Sequence, residues 1–459
     1  MSKFLFSEFD PVTTKHWKQK IQFDLKGADY NEALIWQSPE GINVKPFYHS
    51  DDFKEDFYPI PGHPKSWNIA QDVFIDDDSI ANGLARDAVN RGADAIIFSS
   101  EKEFDPEAVF KSFPFEKAII YFKLKFLSEA FIHQLKQYFL NKKATVFYNI
   151  DLIGNLAQTG NWFQNLKQDH EIFDALFQQN ISENILSVDL ALYQNAGANM
   201  VQQLAYALAH ANEYLNHFAV EPDSSIKKIN VTFELAVGSN YFFEIAKIRA
   251  LRLAYAALAS KYGISENCHI IGRPSKRNKT IYDYNVNMVR TTTECMSAII
   301  GGADTICNLP YDALYHKSNE FGERISRNQL LILKAEGYFD ITSNPADGTY
   351  YIESLTRELG EKALELFKDI EANGGFLAQL KEGLIQRKIK ESAQKEQQLF
   401  DDGKFVLIGT NKQQNKNDKM KYELELYPFV KTNVRKTLIN PIIEKRIAEE
   451  NEKIRLKNE

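Results

Sequence analysis

Cysteine is scarce. Cys268, Cys295 and Cys307 are the only three in 459 residues, an odd number for a disulfide framework, and none stands at a metal-ligand spacing. They read as thiols kept reduced, so a cytoplasmic location is expected. No apolar run reaches about 18 residues, which leaves no candidate membrane helix. The opening MSKFLFSEFDPVTTKHWKQK carries early acids and no apolar signal core, which argues against secretion. A net charge of −7 argues against a nucleic-acid partner. The common catalytic strings are missing too: no G-x-x-x-x-G-K-S/T, no strand-borne G-x-G-x-x-G, no H-E-x-x-H and no G-x-S-x-G. His210 and His217 share a helical stretch, but seven residues put them about 10.5 Å apart along the axis, too far for one metal.

What remains is a chain with 44% hydrophobic and 25% charged residues, the composition of a globular protein with a large core. Its charge is uneven. Residues 411–459 hold 12 Lys plus Arg against 8 Asp plus Glu, so the acidic excess lies in the rest. Residues 1–66 have few periodic segments and many turn signals, and read as an extended, aromatic-rich arm packed on its own domain or on a partner subunit. From 67 to 316, short apolar runs alternate with amphipathic stretches. The runs are WNIAQDVFI, DAIIFS, KAIIYFKL, ATVFYNID, LSVDLAL, INVTFEL, CHIIGRP and ADTICNL. Near-continuous hydrophobic runs suit parallel strands covered on both faces. Eight strand–helix units without a nucleotide turn predict a (β/α)8 TIM barrel. Residues 317–409 read as a C-terminal helical extension. Residues 410–459 read as a polar linker and a charged tail, with a possible strand in KYELELYPFVKT and a helix after Asn440 and Pro441.

In such a barrel, chemistry gathers where the strands end. Asp72, Ser99, Asn149, Asp151, Asp189, Glu234, Arg273, Ser275 and Asn308 stand there. Asp189 and Glu234 end adjacent strands and can face one another as an acid/base pair or bind loop amides. Arg273, Lys276, Arg277 and Lys279 crowd one loop that can hold an anion or simply lie in solvent. His269 sits inside a strand and reads as packed or surface-directed.

Several blocks resemble a known family. AGANMVQQLAYALAHANEYL from Ala196, YFFEIAKIRALRLAYA from Tyr241, YNVNMVRTTTECMSAIIGGADT from Tyr284, FGERISRNQ from Phe321 and NPADGTYYIESLT from Asn344 look like the barrel region of methylmalonyl-CoA mutases. LKGADY from Leu25 and IWQSPEGINVKPFY from Ile35 resemble the family's arm, of the small-subunit type. The resemblance runs from about residue 15 to about residue 412. It implies a barrel whose axis takes the CoA chain and whose carboxyl end is capped by adenosylcobalamin, the cofactor that supplies the radical chemistry.

The chain departs from that pattern at the reacting centre. The D-x-H-x-x-G cobalt-ligand loop is absent, and 47 residues after Lys412 are too few for a cobalamin domain. Where catalytic members carry R-Q-Y-A-G, Ala70 takes the arginine position and Asp72 the tyrosine position. Where they carry H-x-Q-T-S, Ile271 takes the histidine position and Arg273 the glutamine position; only Ser275 agrees. Isoleucine has no proton to offer an oxyanion. No catalytic, cofactor or metal residue is therefore assigned, and Asp72, Ile271, Arg273 and Ser275 stand as degenerate positions. The resemblance implies a small, non-catalytic subunit that pairs with a large chain carrying adenosylcobalamin. An alternative is a catalytic acyl-CoA mutase barrel whose cobalamin domain lies on a separate chain. Acyl-CoA binding is left open, because Phe98, Tyr121, Phe122 and Phe147 suggest a filled barrel interior. No membrane partner is expected.

Overall fold

Each of the eight apolar runs forms a strand, and all pair in parallel. A computed structural model describes residues 7–53, 57, 59–179, 184–219, 229–431 and 434–459. The strands are β1 Asn68–Phe74, β2 Ala95–Ser100, β3 Ile119–Leu124, β4 Val146–Phe147, β5 Leu186–Asp189, β6 Val231–Val237, β7 His269–Pro274 and β8 Thr305–Cys307. Their order across the sheet is β4-β3-β2-β1-β8-β7-β6-β5. A parallel bridge between Ile150 and Leu186 joins the two edges, so the sheet curls into a TIM-like barrel with a thin seam between β4 and β5.

Alternation along the strands sorts side chains into two layers. Ile69, Val73, Ile96, Phe98, Ile120 and Phe122 point outward and pack with the surrounding helices. Ala70, Ala95, Ile97, Tyr121, Phe147, Ile271 and Cys307 form a separate cluster inside the barrel. Of the four aromatics in question, Tyr121 and Phe147 face the axis; Phe98 and Phe122 do not. Helices start where Asp77, Asp105, Ser128, Asp151, Asn165 and Asn319 accept backbone N–H groups through their side chains.

The helix Tyr241–Tyr262 is buried along most of its length although it carries three basic residues in its middle. Arg252 donates to the carbonyls of Cys268 and Gly302 and to Asp304, stapling the amino ends of β7 and β8. Arg249 holds Asn344, Asp347 and Glu353, and so anchors the loop before the helix Tyr350–Ala372. The arm buries Tyr30 and Ile42 but leaves Trp17 50%, Phe23 78% and Trp36 48% exposed.

The C-terminal segment differs from its sequence reading. Residues 421–431 form turns and coil instead of a strand, because Leu424 and Phe429, which would face opposite sides of a strand, both pack with the cluster of Met420, Ile281, Tyr282 and Tyr315, while Tyr422 and Tyr427 stay exposed. The last helix is Glu449–Lys457, later than Asn440 and Pro441 suggest. Before it, the backbone is stretched across the barrel rim by hydrogen bonds. Leu438 N–H donates to Gly160 O, Ile442 N–H to Ala157 O, Lys445 N–H to Asn195 O and Ile447 N–H to Arg277 O. These partners lie beyond β4, β5 and β7, so the crossing stitches over the seam.

Gly197 lets this arrangement close. Its φ is +103°, and a Cβ there would lie 2.4 Å from Ala393 Cβ on the helix Leu384–Asp401 and 2.8 Å from Arg277 Nη2. Gly197→Ala should therefore lower stability by at least about 1–2 kcal/mol from backbone strain alone. Chemical denaturation of the two proteins checks this.

Candidate functional site

Inward alternation brings charged residues to the barrel mouth from five strands, two residues beyond the apolar layer. Asp189 ends β5, Asp72, Lys123 and Arg273 stand within two residues of the ends of β1, β3 and β7, and Glu234 stands midway along β6, level with Asp189. The register places Asp189 directly beside Glu234. Two carboxylates side by side repel, and Lys123 from the opposite wall resolves this: its Nζ lies 3.0 Å from Asp189 Oδ2 and 2.8 Å from Glu234 Oε2. Arg273 continues the chain of charges. Its Nη1 and Nη2 meet both Asp72 oxygens at 2.6 and 2.9 Å, and its Nε lies 2.6 Å from Glu234 Oε1. The result is an unbroken lattice across the mouth, with three acids and two bases.

Below the lattice the axis is filled. Tyr121 OH hydrogen-bonds His269 Nε2 and Thr305 Oγ1, both at 2.8 Å. Phe147 stacks on Tyr121 at 4.7 Å and lies 4.5 Å from the His269 ring. Ile271 and Ile97 close the next layer up. Above it opens a cavity of about 680 Å³, lined among others by Lys125, Asn149, Asp151, Leu192, Glu323 and Glu444.

The electrostatics follow from burial and these contacts. Burial pushes the Asp72 carboxyl up, but the Arg273 guanidinium outweighs it and holds Asp72 below its ordinary value. Glu234 is likewise held low by Lys123 and Arg273 against burial. Asp189 is raised, because burial and the adjacent Glu234 outweigh its one cation. Burial lowers His269 and raises the Cys307 thiol well above its ordinary value. Glu323 is pushed up to about 7 by burial, with Asp72 adding to the effect and Ser318 opposing it.

Of the sequence candidates, Asp72, Ser99, Asn149, Asp151, Asp189, Glu234, Ile271, Arg273 and Asn308 all line this cavity. Ser275 does not; it is buried and donates to Asn195 Oδ1 at 3.0 Å. Asp151 is held by His210 Nε2 at 2.9 Å and by the Tyr214 hydroxyl at 2.8 Å. His217 lies apart, 2.7 Å from Asp174. Asn308 is engaged by Ser326, Gln329 and the Leu309 N–H. The basic loop is divided: Arg277 pairs with Glu396, buried Lys279 pairs with Glu294, and only Lys276 projects outward. Lys123 is the residue that sequence reasoning missed. Its place in IIYFKL, two on from axis-facing Tyr121, is the signal that marks it.

This arrangement binds charge to charge. Among the described residues lining the cavity there is no histidine, and its one thiol, Cys307, is held protonated. Each lattice acid already faces a cation, so the lattice has no unpaired acid or base for proton transfer.

Two outcomes test the electrostatics. Lys123→Met should destabilise the fold by about 1–3 kcal/mol at pH 7.5, less than a fully buried pair because 44% of the lysine side chain stays open. The loss should shrink toward pH 5, as Asp189 or Glu234 takes a proton; denaturation at both pH values checks this. For Glu323, the folded chain keeps its proton up to about pH 7 while an unfolded chain releases it near 4.5. Stability therefore falls as pH rises through that interval. Glu323→Gln should melt higher than the parent at pH 8 and equally at pH 4.5.

Residues 124–457 match the sequence profile described as methylmalonyl-CoA mutase. The methylmalonyl-CoA mutase small subunit of Porphyromonas gingivalis is 33% identical, over 89% of this chain and 70% of its own length. Methylmalonyl-CoA mutase of Rhizobium meliloti is 26% identical over 96% of this chain and 69% of its own. The mitochondrial enzyme of Homo sapiens is 25% identical over 87% of this chain and 60% of its own.

Proposed function

Because the chain belongs to the methylmalonyl-CoA mutase family, we propose that it is the small, non-catalytic subunit of a heterodimeric mutase. Its partner is a larger chain that carries adenosylcobalamin and interconverts succinyl and methylmalonyl thioesters. The observation that carries this reading is the lattice Asp72–Arg273–Glu234–Lys123–Asp189 seated on a filled axis. A catalytic barrel needs an open axis for the pantetheine arm and unpaired donors aimed at the thioester. Here Asp72 and Arg273, at two of the family's reacting positions, neutralise each other. Ile271 at the third belongs to the apolar layer.

The mouth does not suit the cofactor either. Among the described residues no imidazole lines it to meet cobalt, and Glu444 of the crossing segment covers part of the rim, held by Asn195 Nδ2 at 2.9 Å. Among the described residues no group of three or more His, Cys, Asp or Glu could hold a metal. The half-exposed Trp17 and Trp36 on the arm support a partner surface, since exposed large aromatics are costly in isolation. Among the described residues no helix is long and apolar enough to cross a membrane.

Mixing the purified chain with a large cobalamin-bearing mutase chain from the same cell should give a stable heterodimer in size-exclusion chromatography. Thioester interconversion should require the large chain. Turnover by this chain alone, once adenosylcobalamin is added, overturns the proposal. Calorimetry with CoA should show no binding along the filled axis.

A further inference from the structure

A second cavity lies outside the barrel and belongs to none of the above. It is a cleft of about 910 Å³ between the helix Leu384–Asp401 and the crossing segment, within the size range of small-molecule sites. Arg277, Arg387, Lys390, Lys445, Arg446 and Lys453 line it, and among the described residues no Asp or Glu does. Ala393, Pro441 and half-exposed Ile443 supply an apolar wall, with Ile389 and Ile442 buried behind it.

Some of these cations are occupied. Arg446 is held by Glu452 and by the carbonyls of Pro428 and Lys279. Lys445 and Lys453 both reach Glu450. Arg387 lies 3.8 Å from Glu391. Two positions are left. Arg277 is buried and oriented, with Nε on Glu396 and Nη1 on the Lys445 carbonyl, yet its Nη2 has no partner among the described residues. Lys390 is exposed and has no ion-pair partner among them. A fixed guanidinium edge and an exposed ammonium on the same cleft, with an apolar wall, suit a phosphate group attached to a flat or apolar body.

We propose that this cleft binds a phosphorylated, nucleotide-sized metabolite, its phosphates on Arg277 and Lys390 and its body against Ala393, Pro441 and Ile443. This assignment is independent of the subunit role. Isothermal titration of the full chain with ATP, pyrophosphate and adenosine tests it. ATP should bind with a Kd below about 1 mM, and more tightly than either fragment. Lys390→Glu should weaken ATP binding about five- to tenfold, a change of about one charge contact, without lowering the melting temperature. Lys416→Glu, an exposed charge elsewhere, should leave it unchanged. No heat with ATP at about 5 mM, well above that Kd, overturns the site. Equal weakening by both variants overturns it as nonspecific attraction, and pyrophosphate binding as tightly as ATP overturns the apolar half of the cleft.

Discussion

Charge pairing across the barrel mouth is the constraint on which the rest depends. Parallel register puts Asp189 and Glu234 at the same level on neighbouring strands, and side-chain alternation turns both inward. Such a pair is tolerable only if a cation reaches it, and Lys123 does so from the far wall. Arg273 then ties Glu234 to Asp72, so residues from five strands are bound into one network. Polar networks of this kind are stringent: complete, they specify one arrangement, and with one member removed they leave a charge stranded.

The same constraint bears on the proposed non-catalytic role. A reacting centre keeps its donors and acceptors unsatisfied until substrate arrives, at some cost in stability. Here the corresponding positions are satisfied within the chain, and Tyr121, Phe147 and His269 occupy the axis beneath them. The framework around these residues rests on different ones: eight strand units, their caps and the buried arginines of the helix Tyr241–Tyr262. Folding and chemistry therefore fall on separate faces of one architecture: outward-facing Ile, Val and Phe hold the fold, and the inward-facing residues determine what the mouth can do.

How much of this is legible in the sequence differs by scale. The eight strands are legible because each is a near-continuous apolar run bounded by turn residues. The candidate acids Asp72, Asp189 and Glu234 are legible as acids within those runs. That Tyr121 and Phe147 fill the axis while Phe98 and Phe122 do not depends on which phase of the alternation faces inward, and an apolar run hides that phase. Lys123 is lost for the same reason: it meets Asp189 and Glu234 across 66 and 111 residues of sequence, and no local pattern records the meeting. The C-terminal crossing is illegible because its backbone partners, Ala157, Gly160, Asn195 and Arg277, lie in helix ends and a loop far upstream.

That crossing has a consequence for how the barrel can breathe. Among the described residues, the walls at the seam are joined by only three backbone hydrogen bonds, Tyr148 N–H to Asn184 O, Ile150 N–H to Ile185 O and Ser187 N–H to Ile150 O. The crossing adds bonds to four more residues, Ala157, Gly160, Asn195 and Arg277. Opening the ring there has to break both sets together, so amides on the two sides of the seam share one protection against solvent exchange.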